Sequence, residues 1–218
     1  RVLVPDLRGH GRSGKARSDD ADGYSFARMG RDMLGVLDDA GVANVHWVGN
    51  SLGGILALSL LEQNEARFRT LATFGTAYGQ QLPGWMPLLF PLTHALLGRR
   101  LKARLTAALT TRNLAARPLV ARLAAASDPQ VGRQIAIHAC RYDFTAAACA
   151  ATVPILLLRG GRDTAVNAAL APTLEAMRIR TNFTLVDLPE GGHCANLDAT
   201  DLWRETLTDF WRRSAPLT

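Results

Sequence analysis

The feature that most restricts how this chain can fold is six residues long. Asn44–Val48 reads as a short strand and Leu52–Gln63 as a mostly apolar helix, and Gly49-Asn50-Ser51-Leu52-Gly53-Gly54 joins them. A strand that turns at once into a helix strains the residue at the apex, and glycine is expected on both sides of it because a Cβ there would clash. Such a turn lifts the Ser51 hydroxyl at the C-terminal end of the strand. It also aims the first N–H groups of the helix, Leu52 foremost, at the place where negative charge would develop on an attacked carbonyl. With 19 glycines and seven serines in 218 residues, Gly-x-Ser-x-Gly should arise by chance only about 0.05 times, and the strand–turn–helix setting makes chance rarer still.

The rest of the chain supplies the layers around this turn. Arg1–Pro5 reads as a buried strand, followed by a Gly-rich charged loop, Asp6 to Gly14. A helix then starts near Ser25 or Asp22, with Phe26, Met29, Met33, Val36, Leu37 and Ala40 on one face and Gly41 as its stop. Further strands are expected at Thr70–Phe74, Val153–Leu158 and Phe183–Leu188. A last helix over Asp201–Arg213 gathers Leu202, Trp203, Leu207, Phe210 and Trp211 on one side. Strands alternating with helices predict an α/β fold, a predominantly parallel sheet flanked by helices. From about Ala77 to Ala147 the alternation stops. Pro83, Pro87 and Pro91 punctuate a Trp- and Leu-rich stretch, and Ala/Leu/Arg helices follow with no strand signal. The domain reading is therefore a core of 1–76 and 148–218 with a helical cap, 77–147, inserted in it.

A serine hydroxyl is a weak nucleophile until a base takes its proton and a third group orients that base. Of five histidines, His193 has the right place: it follows Gly191-Gly192 directly after a strand, on a loop at the same sheet edge as Ser51. His10 lies in the Gly-rich loop and is expected to hold it by hydrogen bonds, His46 sits inside a strand, and His94 and His138 fall in the cap. For the acid, Asp163 closes Arg159-Gly-Gly-Arg-Asp immediately after a strand. A carboxylate there can fix the imidazole tautomer. Asp187, within the next strand, and Asp143, at the end of the cap, are the alternatives.

Composition narrows the class. No apolar run approaches the roughly 18 residues of a membrane span. Three cysteines, Cys140, Cys149 and Cys194, with no Cys-x-x-Cys spacing argue against a disulfide framework or a zinc site, and suit a reducing, cytoplasmic setting. The net charge of +6 is uneven: the segment 81–141 holds nine bases and one acid, Asp128, leaving −2 for the remainder. A basic cap suits an anionic substrate or an ester presented by an acidic carrier protein; a solvated helical surface is the plainer reading. Nothing points to nucleic acid.

These residues together resemble the α/β-hydrolase family, in its serine-nucleophile esterase and enol-lactonase members. The order Ser51, Asp163, His193 is that family's order. Asp6-Leu-Arg-Gly-His-Gly-Arg-Ser13 is similar to the loop many members carry after their fourth strand, Val153–Leu158 leading to Gly160 and Asp163 is similar to the acid segment, and Gly191-Gly-His193 through Asp198 resembles the terminal His segment. The likeness covers roughly 1–76 and 148–218. It implies hydrolysis of carboxylic esters or lactones of small molecules through an acyl-enzyme, with no metal or organic cofactor. Asn50, beside the nucleophile, and Trp85, Met86 and Phe90 in the cap are the candidate substrate contacts; the last three serve equally well as cap core. Carbon–carbon bond hydrolysis of ring-cleavage diketones is the nearest rival, since Gly-Asn-Ser also occurs in those relatives, and a non-catalytic binding member is the other. Ser at position 51 disfavours the aspartate-nucleophile relatives. The family's second oxyanion donor comes from a loop that would precede Arg1, so the sequence is expected to be an N-terminally truncated member, lacking the first strands and poorly active as it stands.

Overall fold

The computed structural model describes residues 1–17, 20 and 22–214, excepting the side chains of 88–92, 94 and 95. Four parallel strands form the central sheet: β1 (Val45–Asn50), β2 (Phe68–Phe74), β5 (Ile155–Gly160) and β6 (Phe183–Leu188), in the spatial order β1-β2-β5-β6. The inner strands are apolar and buried along their length, as strands covered on both faces must be; Ile155 to Leu158 are at most 1% exposed. Alternation then sorts the two faces. Leu71, Ile155 and Leu157 point to the side of α2 (Leu52–Asn64) and α7 (Thr164–Met177). Ala72, Leu156 and Leu158 point to α9 (Thr200–Ser214), where Leu207 and Phe210 meet them. α1 (Phe26–Asp39) lies on α2, close enough that a Cβ on Gly30 would sit 2.9 Å from Leu60. Gly41, at φ +65°, ends α1 in the left-handed conformation glycine adopts freely.

Ladder register places the strand ends. Asn50 faces Phe74 across β1–β2, Phe74 faces Leu158 across β2–β5, and Gly160 faces Leu188 across β5–β6. The segments that follow these strands, which begin at 51, 75, 161 and 189, therefore emerge along one rim.

Two expectations need correction. Arg1–Pro5 is not a strand; Val2 and Val4 are 84% and 88% exposed. An apolar run becomes a strand only where a neighbour completes its ladder, and no strand among the described residues pairs with it or with the outer edge of β1. The 77–147 block is also not strand-free. β3 (Gly79–Gln81) pairs antiparallel with β4 (Arg141–Asp143), Gly79 opposite Asp143 and Gln81 opposite Arg141. These short polar segments, some 60 residues apart, carry no alternation to announce them. Between them stand α3 (Leu89–Thr110), kinked at Gly98, α4 (Arg117–Ala126) and α5 (Pro129–Ala139). The ribbon thus ties the two ends of the helical block together, and α6 (Thr145–Ala150) returns the chain to α2 and α7.

Candidate active site

Ser51 has φ 49° and ψ −115°, and it is the one non-glycine residue with positive φ among the described residues. An L-residue held there stores about 1–3 kcal/mol, which the surrounding contacts must offset. Those contacts are visible. The Ser51 amide donates to the Phe74 carbonyl at 3.0 Å, the Trp47 indole donates to the Gly53 carbonyl at 3.1 Å, and the Thr76 hydroxyl donates to the carbonyls of Phe74 and Ser51. A Cβ on Gly49 would meet the Gly53 carbonyl oxygen at 2.6 Å, and one on Gly54 would strike the Thr76 side chain, whereas one on Gly53 meets nothing within 4 Å. The two glycines the turn requires are thus Gly49 and Gly54, not Gly49 and Gly53. Gly54 and Ile55 are the first amides to donate to the Ser51 carbonyl, so the N–H groups of Leu52 and Gly53 have no intrahelical acceptor.

On the neighbouring loops, the Nδ1 of His193 lies 2.9 Å from the Asp163 carboxylate. Opposite a carboxylate Nδ1 carries the proton and donates, which leaves Nε2 as the basic nitrogen. Asp163 is 7% exposed and also caps α7, accepting weakly from the Val166 amide at 3.4 Å. Glycines bring the two loops together. A Cβ on Gly160 would fall 2.6 Å from the Gly192 carbonyl oxygen, and one on Gly161 would fall 2.7 Å from that of Pro189. The Arg162 amide then donates to the Gly191 carbonyl.

The link from this pair to Ser51 runs through the residue beside it. Asn50 Nδ2 donates to the His193 carbonyl at 2.9 Å and to the Phe74 carbonyl at 3.2 Å. Its amide nitrogen is thus committed within the protein, joining the serine turn to the histidine loop. Gly75, at φ +58°, lies beneath: a Cβ there would meet Asn50 Nδ2 and the His193 carbonyl oxygen at 2.8 Å and the imidazole Cε1 at 3.2 Å. Gly75 was not among the residues expected at the site; its signal was a glycine directly after a buried strand. Ser51 Oγ itself makes no hydrogen bond among the described residues, as is common in such sites before substrate closes them.

The competing side chains are occupied elsewhere. Asp187 forms a two-point ion pair with Arg159 at 2.6 and 2.8 Å, and that guanidinium holds its carboxyl below the usual range. Asp143 accepts from the Thr145 amide. His10 Nδ1 faces the Arg8 carbonyl within its loop, His46 faces the Thr70 hydroxyl, and His138 lies edge-on to Phe26. Cys194 adjoins His193, but burial first, then the Asp198 and Asp163 carboxylates, push its thiol up to about 11. At neutral pH it is not a thiolate. Of the cap candidates, Trp85 is 58% exposed, and Met86 sits in a short 3-10 turn packed on α3 and α5. The side chain of Phe90, like that of His94, lies outside the described residues. A cavity of about 460 Å³ between the β3–β4 ribbon and α7 is lined by Gln81, Tyr142 and Thr173 among others, with none of Ser51, Asp163 or His193 in its wall.

A strained serine at a strand–helix turn, with a carboxylate–imidazole pair on later loops of the same rim, is the arrangement of one fold family, and a family profile described as alpha/beta hydrolase fold matches residues 1–200. The chain belongs to the α/β-hydrolase fold family. Among solved structures, the enol-lactonase of Burkholderia xenovorans LB400 superposes with a TM-score of 0.79 at 20% identity, over 95% of this chain and 79% of that one, a likeness of fold. A 2-hydroxymuconate semialdehyde hydrolase of Pseudomonas putida is 43% identical over 77 residues, 35% of this chain and 26% of that protein. The 3-oxoadipate enol-lactonase 1 of Acinetobacter baylyi is 34% identical over 77 residues, 35% and 27% respectively. The matched stretches span about a quarter of the length of these curated relatives. Among the described residues no helix is long and apolar enough to cross a membrane.

Proposed function

We propose that this α/β-hydrolase is a serine hydrolase that cleaves carboxylic esters or lactones of small molecules. The observation that carries this reading is the His193–Asp163 hydrogen bond on the rim where the strained Ser51 stands. His193 Nε2 takes the hydroxyl proton as Ser51 Oγ attacks the carbonyl carbon, and the Leu52 N–H is free to receive the developing oxyanion. The carbonyl re-forms as the alcohol or enol leaves with that proton, giving the acyl-enzyme. Water, deprotonated by the same imidazole, then releases the acid and restores Ser51. Asp163 stays ionised throughout, holding the tautomer and stabilising the imidazolium.

The stretch shared with the 2-hydroxymuconate semialdehyde hydrolase favours a second reading, cleavage of a carbon–carbon bond next to a ketone. One experiment separates them: incubation with a small enol-lactone and, in parallel, with 2-hydroxymuconate semialdehyde, followed by product analysis. Ring opening of the lactone alone supports the ester and lactone reading; fragmentation of the semialdehyde alone replaces it. Turnover of neither, nor of simple esters, would make the chain a binding member of the fold.

The basic cap directs the substrate proposal toward anionic acids, or an ester carried on an acidic protein. Arg99, Arg100 and Arg104 are exposed on α3. Neutralising them together should raise KM for anionic esters and leave it unchanged for neutral ones; equal effects on both would reject the idea.

A further inference from the structure

We infer that Asp198 is a positioning residue that couples the cap to the imidazole of His193. This rests on the reading of His193 as the base. Asp198 closes the four-residue helix α8 (Ala195–Asp198), just after the histidine loop. One carboxylate oxygen accepts from the Gly192 amide at 2.8 Å, in the peptide that joins Gly191 to Gly192 one residue before His193. The other accepts from the Arg112 amide at 2.9 Å, the Asn113 amide at 3.1 Å and the Thr111 hydroxyl, all at the turn between α3 and α4 in the cap. Thr111 is 1% exposed, so its hydroxyl is aimed inward at this carboxylate.

The same two segments are joined on either side. The Cys194 amide, directly after His193, donates to the Thr110 carbonyl at 3.0 Å, and the Asn113 side chain donates to the Leu197 carbonyl at 2.9 Å. The backbone on both sides of His193 is therefore held, the Gly191–Gly192 peptide by Asp198 and the His193–Cys194 peptide by the Thr110 carbonyl of the cap. Gly192 is shaped for this: a Cβ there would lie 2.7 Å from the Asp198 carboxylate oxygen and would keep it from the amide. Among the described residues no Lys or Arg side chain forms an ion pair with Asp198. Its charge is balanced by four neutral donors converging from two parts of the fold. Only a carboxylate serves all four, because the –NH₂ of an Asn would face either the Gly192 N–H or the cap's donors. A shift of the 110–113 turn is transmitted through this group to the backbone that carries the imidazole, so the cap's position sets the base's position.

The test compares Asp198→Asn with the unaltered protein by steady-state kinetics on a small ester, by thermal unfolding and by the low-field proton resonance of the His193–Asp163 hydrogen bond. The expected result is a fall in kcat of up to about 10²-fold, the scale of a displaced reacting group, with KM nearly unchanged and the low-field resonance shifted or broadened. Thr111→Val, which removes one donor of the four, should move the same quantities less, and the double variant should be less than additive. A kcat and a resonance that both match those of the unaltered protein would overturn the inference. So would a loss of activity that only tracks the unfolded fraction, with the resonance of the folded fraction unmoved. If the unaltered protein turns over no ester, the proposed function fails, while the resonance still decides whether Asp198 positions the ring.

Discussion

Replacing Gly75 by alanine tests how the fold holds the His193 loop against the turn that carries Ser51. The new methyl would lie 2.8 Å from both Asn50 Nδ2 and the His193 carbonyl oxygen, where ordinary contact begins at 3.4 Å, so these atoms must move by about 0.6 Å. The backbone there, at φ +58°, costs an L-residue about 1–2 kcal/mol. Losing the Asn50–His193 hydrogen bond adds about 0.5–1.5 kcal/mol. A destabilisation of about 2–3 kcal/mol follows, which for a chain of this size lowers Tm by about 4–12 °C. Displacing the ring by a fraction of an ångström should also slow reaction at Ser51 by about 10–100-fold. Differential scanning calorimetry and the rate of inactivation by a fluorophosphonate read the two effects. Gly53→Ala is the matched control: its Cβ meets nothing within 4 Å and the site is helical, so Tm should hold or rise by the equivalent of about 0.5–1 kcal/mol. Wild-type Tm and wild-type inactivation in Gly75→Ala would refute the reasoning, as would an equal loss of Tm in Gly53→Ala.

Other outcomes follow from the same geometry. Asp163→Asn should reduce kcat by about 10⁴-fold, because an amide does not fix the required tautomer; Asp187→Asn, which breaks an exposed pair with Arg159, should change stability by at most about 1 kcal/mol and leave kcat alone. Ser51→Gly should relieve backbone strain and raise stability by about 1 kcal/mol, whereas Ser51→Ala, which keeps its Cβ, should not; equal Tm values for the two would contradict the strain. Cys194 should resist iodoacetamide at pH 8 and become reactive only as the pH approaches 11, since its thiol is held protonated below that value; peptide mapping of alkylated protein after incubation across this range checks the direction.

What could be read from sequence was what local chemistry determines. β6 spans the expected Phe183–Leu188, and the observed β2, β5, α2 and α9 overlap their expected ranges, because a buried parallel strand is a continuous apolar run and a covering helix has a one-sided stripe. The motif at 49–54 was legible because few residue types tolerate so sharp a turn. The failures are non-local. Arg1–Pro5 has the composition of a strand but no ladder to join, and the Gly79–Gln81 and Arg141–Asp143 ribbon exists only as a pairing between distant polar segments. Gly53 completes a familiar pattern yet has open space around it, while Gly75 and Gly54 fill roles defined by atoms far along the chain. The structural role of Asn50 was out of reach for the same reason. Its partners, the carbonyls of Phe74 and His193, lie 24 and 143 residues away.

The central claim is that Ser51 is the nucleophile, activated by a His193 imidazole that Asp163 orients. Mass spectrometry of the protein after treatment with a fluorophosphonate measures it most directly. The account predicts one phosphonyl adduct, on the peptide that carries Ser51, lost in Ser51→Ala and formed far more slowly in His193→Ala. An adduct on another residue, or one that forms at the same rate without the imidazole, would contradict it.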